Sequence, residues 1–312
     1  MHDHSHPAQG GRQRSAERRG LMLALVTTTV ILIAEAVGGW LSNSLALLAD
    51  AGHMLSDALA LLLAYAAISL AERPATRSKT YGWYRLEILA ALLNGVVLVL
   101  ISVFIVWEAY ERILQPPEVG IPLMLAVAGV GLVANVLGLF FLRGHHHSLN
   151  MRGAYLHVLG DLLSSVGVVI GGLAMWATGA MWVDPMLSVL ISLVIVAGAW
   201  RLLKESVDVL LEATPAGIDH EEVENKIRAL EGVIGVHDLH IWCLTSGLNA
   251  LSCHVEVKQE CLARCDSMLD AIRHIAREDF SIGHVTVQIE PEGYGSRQAI
   301  HWRLPEADTH GH

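Results

Sequence analysis

Apolar positions along this chain come in six long blocks and then change period. The blocks are Leu21–Leu41, Leu45–Ala71, Leu86–Ala109, Ile121–Leu142, Gly153–Ala177 and Pro185–Leu203. Each is close to or above the roughly 20 residues that carry a helix across a hydrocarbon core. Backbone groups cannot stay unpaired in lipid, so the blocks are predicted to be helices. Beyond them the pattern is that of a small water-exposed domain. Ile218–Glu231 places Val223, Ile227 and Leu230 at helical spacing. Val236–Leu244 and Ala250–Val257 read as strands joined by Thr245-Ser246-Gly247. Leu262–Asp279 reads as a second helix, and His284–Glu290 alternates Val285, Val287 and Ile289 with polar neighbours. Helix, strand, strand, helix, strand makes a small sheet with helices on one face.

The fold class expected is therefore an α-helical membrane protein, six transmembrane helices followed by a small α+β domain. The expected boundaries are a tail over 1–20, the membrane domain over 21–212, the α+β domain over 213–295 and a disordered tail over 296–312.

Composition sharpens this picture. Charged residues make up only 17% of the chain and hydrophobic ones 53%, against about 25% charged in a soluble globular chain. The net charge of −10 is uneven. From Thr214 onward sixteen acidic residues face eight basic ones. An acidic water-exposed half excludes nucleic acid as a partner, because phosphate binding needs a basic patch. Lys and Arg also fix an expected orientation. Twelve flank one side of the six blocks, in the N-terminal tail, at Arg73 to Arg85, at Arg143 and Arg152, and at Arg201 and Lys204; the other side has only Arg112. The positive-inside rule then puts both termini in the cytoplasm, and the first block, too long for a signal peptide, is a retained span. A bacterial inner membrane is the expected location. Cys243, Cys253, Cys261 and Cys265 all lie in the α+β part with no Cys-x-x-Cys pair, as suits free thiols.

Ionisable residues inside spans are costly and point to function. The second block holds Asp50, His53 and Asp57, and the fifth holds His157 and Asp161. His-x-x-x-Asp thus occurs twice. That spacing puts imidazole and carboxylate on one helix face, and two such helices packed together would offer four ligands at one depth. Two neutral imidazoles and two carboxylates suit tetrahedral Zn²⁺ and cancel its charge. Cd²⁺, Co²⁺ and Ni²⁺ are not excluded by ligand type. An intramembrane metalloenzyme is disfavoured, because four protein ligands leave no open position and no His-Glu-x-x-His helix occurs; the chain is expected not to be an enzyme. A membrane metal sensor would need an output segment, and none follows. Asp50 either accepts a hydrogen bond from an imidazole of the ligand set or caps or pairs elsewhere. Glu35, Asn94 and Asn135 are expected to make hydrogen bonds between helices, and Asp184-Pro185 reads as a helix start with Asp as N-cap and Pro at the first position.

Several stretches resemble the cation diffusion facilitator family. They are Ser42 to Asp57 (SNSLALLADAGHMLSD), Tyr81 to Glu87 (YGWYRLE), His157 to Asp161 (HVLGD), Asp184-Pro185 and Val236 to Trp242 (VHDLHIW). The likeness covers about 21–291, and the ligand set is similar to that of the zinc-transporting branch. It implies a homodimer, a cytoplasmic domain of ferredoxin-like, metallochaperone-like fold, and exchange of Zn²⁺ against H⁺ by alternating access across the lipid bilayer. It also implies zinc ligands at His237, His254, His284 and Glu290 in the cytoplasmic domain. His240, an odd offset from His237, is expected on the opposite face of its strand. One departure is the loop over 72–80, which has no histidine, while Tyr84 stands where some zinc transporters carry one. The tracts His2/His4/His6, His145-His146-His147 and His310/His312 are candidate metal-gathering segments.

Overall fold

The computed structural model describes residues 7–71, 76–142, 149–245 and 247–294. The three histidine tracts named above lie outside the described residues, as does the tail from 296. The chain divides into two compact units, Met1–Ser206 and Val207–His312.

The first unit is built from α1 (Pro7–Ser42), α2 (Leu45–Ala71), α3 (Arg85–Leu114), α4 (Ile121–Leu142) and α5 (Leu149–Thr178), with most of α6 (Val183–Leu210). All six are long and apolar enough to cross a membrane. Four run well beyond their apolar blocks, α6 among them, which continues from Leu203 to Leu210. Helix α1 begins at Pro7 rather than Leu21; Pro suits the first position of a helix, and Arg12, Gln13, Arg14, Ala16, Glu17, Arg18 and Arg19 are good helix formers, set against Gly10, Gly11 and Gly20. Helix α3 runs on to Leu114, carried by i,i+4 pairs on its polar last turns: Arg112 Nε donates to Glu108 at 2.9 Å and Trp107 Nε1 to Glu111 at 3.1 Å. Helix α5 starts at Leu149.

Helix packing relies on small residues. A methyl group at Gly38 of α1 would stand 2.6 Å from Val127 of α4, and one at Gly172 of α5 the same distance from Leu125 of α4. Without side chains at these points the helices approach closely, the usual device where lipid offers no hydrophobic driving force. Trp40, Trp107, Trp176 and Trp182 are exposed and cluster at the α1–α2 end of the helices, an aromatic belt at one membrane interface.

Asp184 behaves differently from expectation. It lies inside the first turn of α6, not at its N-cap, and its carboxylate instead closes the N-terminus of α2. Ser44 Oγ donates to Oδ1 at 2.6 Å, Leu45 N–H to Oδ2 at 2.7 Å and Ala46 N–H to Oδ1 at 3.3 Å. Ser44 in turn accepts from Leu47 N–H at 3.3 Å. The α1–α2 turn is tight, with Asn43 at φ 57°, so the first amides of α2 point inward and need an acceptor from another helix.

The second unit contains α7 (His220–Arg228), β1 (Val233–Thr245), β2 (Leu248–Val257), a 3₁₀ turn over Gln259–Arg264, α8 (Cys265–Phe280) and β3 (Ile282–Pro291). Asp219 caps α7, accepting from Glu221 N–H at 2.9 Å and Glu222 N–H at 3.4 Å. The sheet order is β1-β2-β3, antiparallel then parallel. Val223, Ile227, Ile272 and Ala276 from the helices bury against Val236, Ile241, Leu251, Cys253 and Val255 on one sheet face. The opposite face carries His237, His254 and Glu290. A bulge corrects the expected facing of His240. His237 pairs with His254 and His240 with Ser252, so both histidines stand on the same face. Asp238 at φ 52° supplies the extra residue that resets the alternation.

Candidate metal centres

Helices α2 and α5 pack in the first unit and bring their acidic and imidazole side chains together. His53 Nε2 lies 3.2 Å from Asp161 Oδ1 and 3.9 Å from Asp57 Oδ2. The three potential ligand atoms are all within 4.8 Å of one another. A tetrahedral Zn²⁺ with bonds of about 2.0–2.1 Å holds its ligand atoms roughly 3.4 Å apart, so a single ion fits between these three with small rotamer adjustments. The side chains are half-buried, His53 at 31% and Asp161 at 16% exposed, which keeps a path to the ion. His157 occupies α5 one helical turn before Asp161, on the same face by spacing; its side chain lies outside the described residues.

Asp50, one turn from His53, accepts from Ser164 Oγ of α5 at 2.6 Å. Of the two roles open to it in the sequence, the observed one is pairing across helices. Asn94 Nδ2 donates to Ser56 at 3.2 Å, and Asn135 Nδ2 to Ser165 at 3.0 Å. Ser164 was missed in the sequence, yet it follows Asp161 at i+3, the same helix face, and that spacing was a usable signal.

The second cluster stands on the open face of the sheet. Glu290 is buried, 2% exposed, between two histidines. Its Oε1 lies 2.7 Å from His254 Nδ1 and its Oε2 lies 3.2 Å from His237 Nε2. Gln288 Nε2 donates to Oε1 at 2.8 Å. Burial alone would raise the Glu290 carboxyl, but the hydrogen bonds from His254, Gln288 and His237 outweigh it and hold the group below its usual range. The two rings lie 5.1 Å apart at 51°. Two imidazole nitrogens and a carboxylate converging here fit a divalent ion. His284 is not part of this group. It pairs with Ala250, while His254 pairs with Gln288. Four residues of strand, about 13 Å at 3.3 Å per residue, separate the two levels.

The family model described as the cation efflux transmembrane domain matches residues 21–211, and that of the cation efflux protein cytoplasmic domain matches 215–292. The chain belongs to the cation efflux family. The resemblance read from its motifs holds along nearly the whole chain. Within this family it is 45% identical over 290 residues to the metal cation efflux system protein CzcD of Cupriavidus metallidurans, covering 93% of this chain and 89% of that one. It is 44% identical over 294 residues to the zinc transporter ZitB of Escherichia coli, covering 93% and 92%. It is 42% identical over 289 residues to the cadmium, cobalt and zinc/H(+)-K(+) antiporter of Bacillus subtilis, covering 91% and 93%. In family terms, His53, Asp57 and Asp161 belong to the transmembrane domain and His237, His254 and Glu290 to the cytoplasmic domain.

Proposed function

We propose that this member of the cation efflux family moves Zn²⁺ out of the cytoplasm in exchange for H⁺, by alternating access around a site made of His53, Asp57, His157 and Asp161. The observation that carries the reading is the convergence of His53, Asp57 and Asp161 from two membrane-spanning helices within 4.8 Å. Ionisable side chains within membrane spans are costly and characteristically mark ion paths. The relatives' names support zinc as cargo, since both ZitB and the Bacillus antiporter carry it in theirs.

Proton exchange follows from the ligand chemistry. A ligand must shed its proton to hold metal, so metal and protons compete for one site. Imidazoles titrate in the physiological range. On the acidic side protons displace Zn²⁺; on the cytoplasmic side Zn²⁺ displaces protons. The two carboxylates cancel the ion's charge while it is out of water.

Both termini face the cytoplasm in this reading, supported by twelve basic residues flanking one side of the spans against one on the other. The chain works as a homodimer through the cytoplasmic domain. Zn²⁺ held there by His237, His254 and Glu290 is resident rather than transported, and Asp57 and Asp161 do no covalent chemistry. A second reading, Cd²⁺ or Co²⁺ as cargo, is supported by the name of the Bacillus relative. The test is flux into proteoliposomes under an imposed pH gradient, with Zn²⁺, Cd²⁺ and Co²⁺ in parallel. Zn²⁺ uptake that follows the gradient and is lost in Asp57→Ala supports the reading. Uptake indifferent to the gradient, or unchanged in His53→Ala, overturns it.

A further inference from the structure

Glu35 is a carboxylate that neither metal centre uses. It lies on α1, 2% exposed, and its Oε2 has no hydrogen-bond partner among the described residues. Its other oxygen rests against α4 where a side chain is missing. A methyl group at Gly131 would stand 2.5 Å from Glu35 Oε1 and 4.0 Å from Ser165 Oγ. The bare backbone at Gly131 therefore makes the space that the carboxyl fills.

The surroundings form a polar strip leading away from the transport site. On α5, Asp161 is followed at i+3 and i+4 by Ser164 and Ser165, on one face of the helix. Ser164 holds Asp50 of α2 at 2.6 Å and Ser165 accepts from Asn135 of α4 at 3.0 Å. Glu35, Asp50 and these serines all lie on the α1–α2-turn side of the metal ligands. The charged groups that act on Glu35 are Asp50 and His53 from α2 and Asp161 from α5; α4 contributes Gly131 and Asn135, neither of which titrates.

A lone carboxylate, with an orphaned oxygen and two acidic neighbours, is tolerated in a dry interior only when its charge is cancelled. Among the described residues, the charged groups acting on it include no Lys or Arg. The cation that neutralises a carboxyl with no further ligand groups around it is a proton. We propose that Glu35 is a proton-carrying residue of the exchange, loaded from the α1–α2-turn side and discharged to the cytoplasmic side. The step is a plain transfer. An O–H bond forms at the Glu35 carboxyl with a proton from outside water, and in the opposite conformation that bond breaks and the proton passes to cytoplasmic water. Glu35 is not a metal ligand in this scheme; it sets how many protons are exchanged per Zn²⁺. The inference rests on the proton-exchange reading above.

Two modes of the reconstituted transporter separate the possibilities: Zn²⁺ accumulation driven by a pH gradient at zero membrane voltage, and Zn²⁺:Zn²⁺ exchange with no gradient. Glu35→Gln removes the titratable proton at nearly constant shape. It is expected to keep exchange near the wild-type rate and to lose about tenfold in accumulation ratio per unit of pH gradient, the worth of one proton. Wild-type accumulation by Glu35→Gln overturns the proposal, and so does equal loss of both modes in a folded protein. Should Glu35→Gln fail to fold, Gly131→Ala tests the same point, since it keeps the carboxyl but displaces it. A folded Gly131→Ala protein with slowed gradient-driven uptake and normal exchange supports the role; normal uptake overturns it. A wild-type protein that ignores the gradient would instead sink the exchange reading itself.

Discussion

The two candidate metal centres use the same donors, imidazole and carboxylate, on opposite kinds of scaffold. In the membrane unit His53, Asp57 and Asp161 sit on α2 and α5, two helices whose contact is side chain to side chain. In the C-terminal unit His237, His254 and Glu290 sit on three strands stitched by backbone hydrogen bonds, with pairings His237↔His254 and Glu256↔Glu290. Helices can slide or tilt past each other while keeping their internal hydrogen bonds, whereas strands cannot separate without breaking a ladder. Under the proposed function, the first scaffold suits a site that opens alternately to two sides, and the second a site that only holds its ion. Exposure does not separate the two clusters, since the His237 and His254 side chains are 40% and 28% exposed and that of His53 is 31%; the difference lies in the backbone that carries them.

The largest effect expected is on the mobile site. Removing a ligand in Asp57→Ala should cost at least about 100-fold in Zn²⁺ flux, the upper end of what loss of a mere outer hydrogen-bond partner does; a stopped-flow zinc dye in proteoliposomes checks it. Flux within a few-fold of wild type would erase the distinction between the two centres.

Next is the latch that fixes α2. Asp184→Ala orphans Ser44 and the first two amides of α2, all buried, and is expected to lower stability by about 2–4 kcal/mol. Thermal unfolding in detergent reads this directly. The rigid site should show itself in pH dependence. Glu290 is held below its usual range in the folded protein. Its contribution to stability is therefore full above the unfolded carboxyl value and is lost as pH falls through the folded one. Glu290→Gln should flatten acid unfolding of the C-terminal unit below about pH 4.3 and cost about 1–3 kcal/mol at neutral pH, with flux retained.

The smallest effect concerns thiols. Burial pushes Cys253 up to about 11, and at 1% exposure it is shut inside the sheet core. It should resist alkylation in the folded protein at pH 8, while Cys261 and Cys265, both half-buried on the edge of that unit, react first. Mass spectrometry of labelled peptides gives the order.

What the sequence disclosed follows from the range of each interaction. The six spans were legible because each is a run of apolar residues, and the convergence of His53 and Asp57 with Asp161 was legible in part because the i,i+4 spacing of His53 and Asp57 is local. The partner of Asp184 was not, since Ser44 lies 140 residues away and an Asp before Pro reads naturally as its own helix's cap. The face of His240 was misjudged because alternation assumes an unbroken strand, and the left-handed turn at Asp238 adds a residue that no composition signal marks. His284 was grouped with Glu290 by the family resemblance, but pairing in parallel with β2 sets it beside Ala250 instead of His254. Ser164 was within reach of local spacing and was passed over only because a serine on a helix is so often silent.

The sharpest measurement puts the two centres side by side. Zn²⁺ flux and thermal stability are measured on the same reconstituted preparations of Asp161→Ala and Glu290→Gln. The mobile-site account predicts that Asp161→Ala folds normally and loses transport, while Glu290→Gln loses stability and still transports. Transport that survives Asp161→Ala but disappears with Glu290→Gln would contradict it.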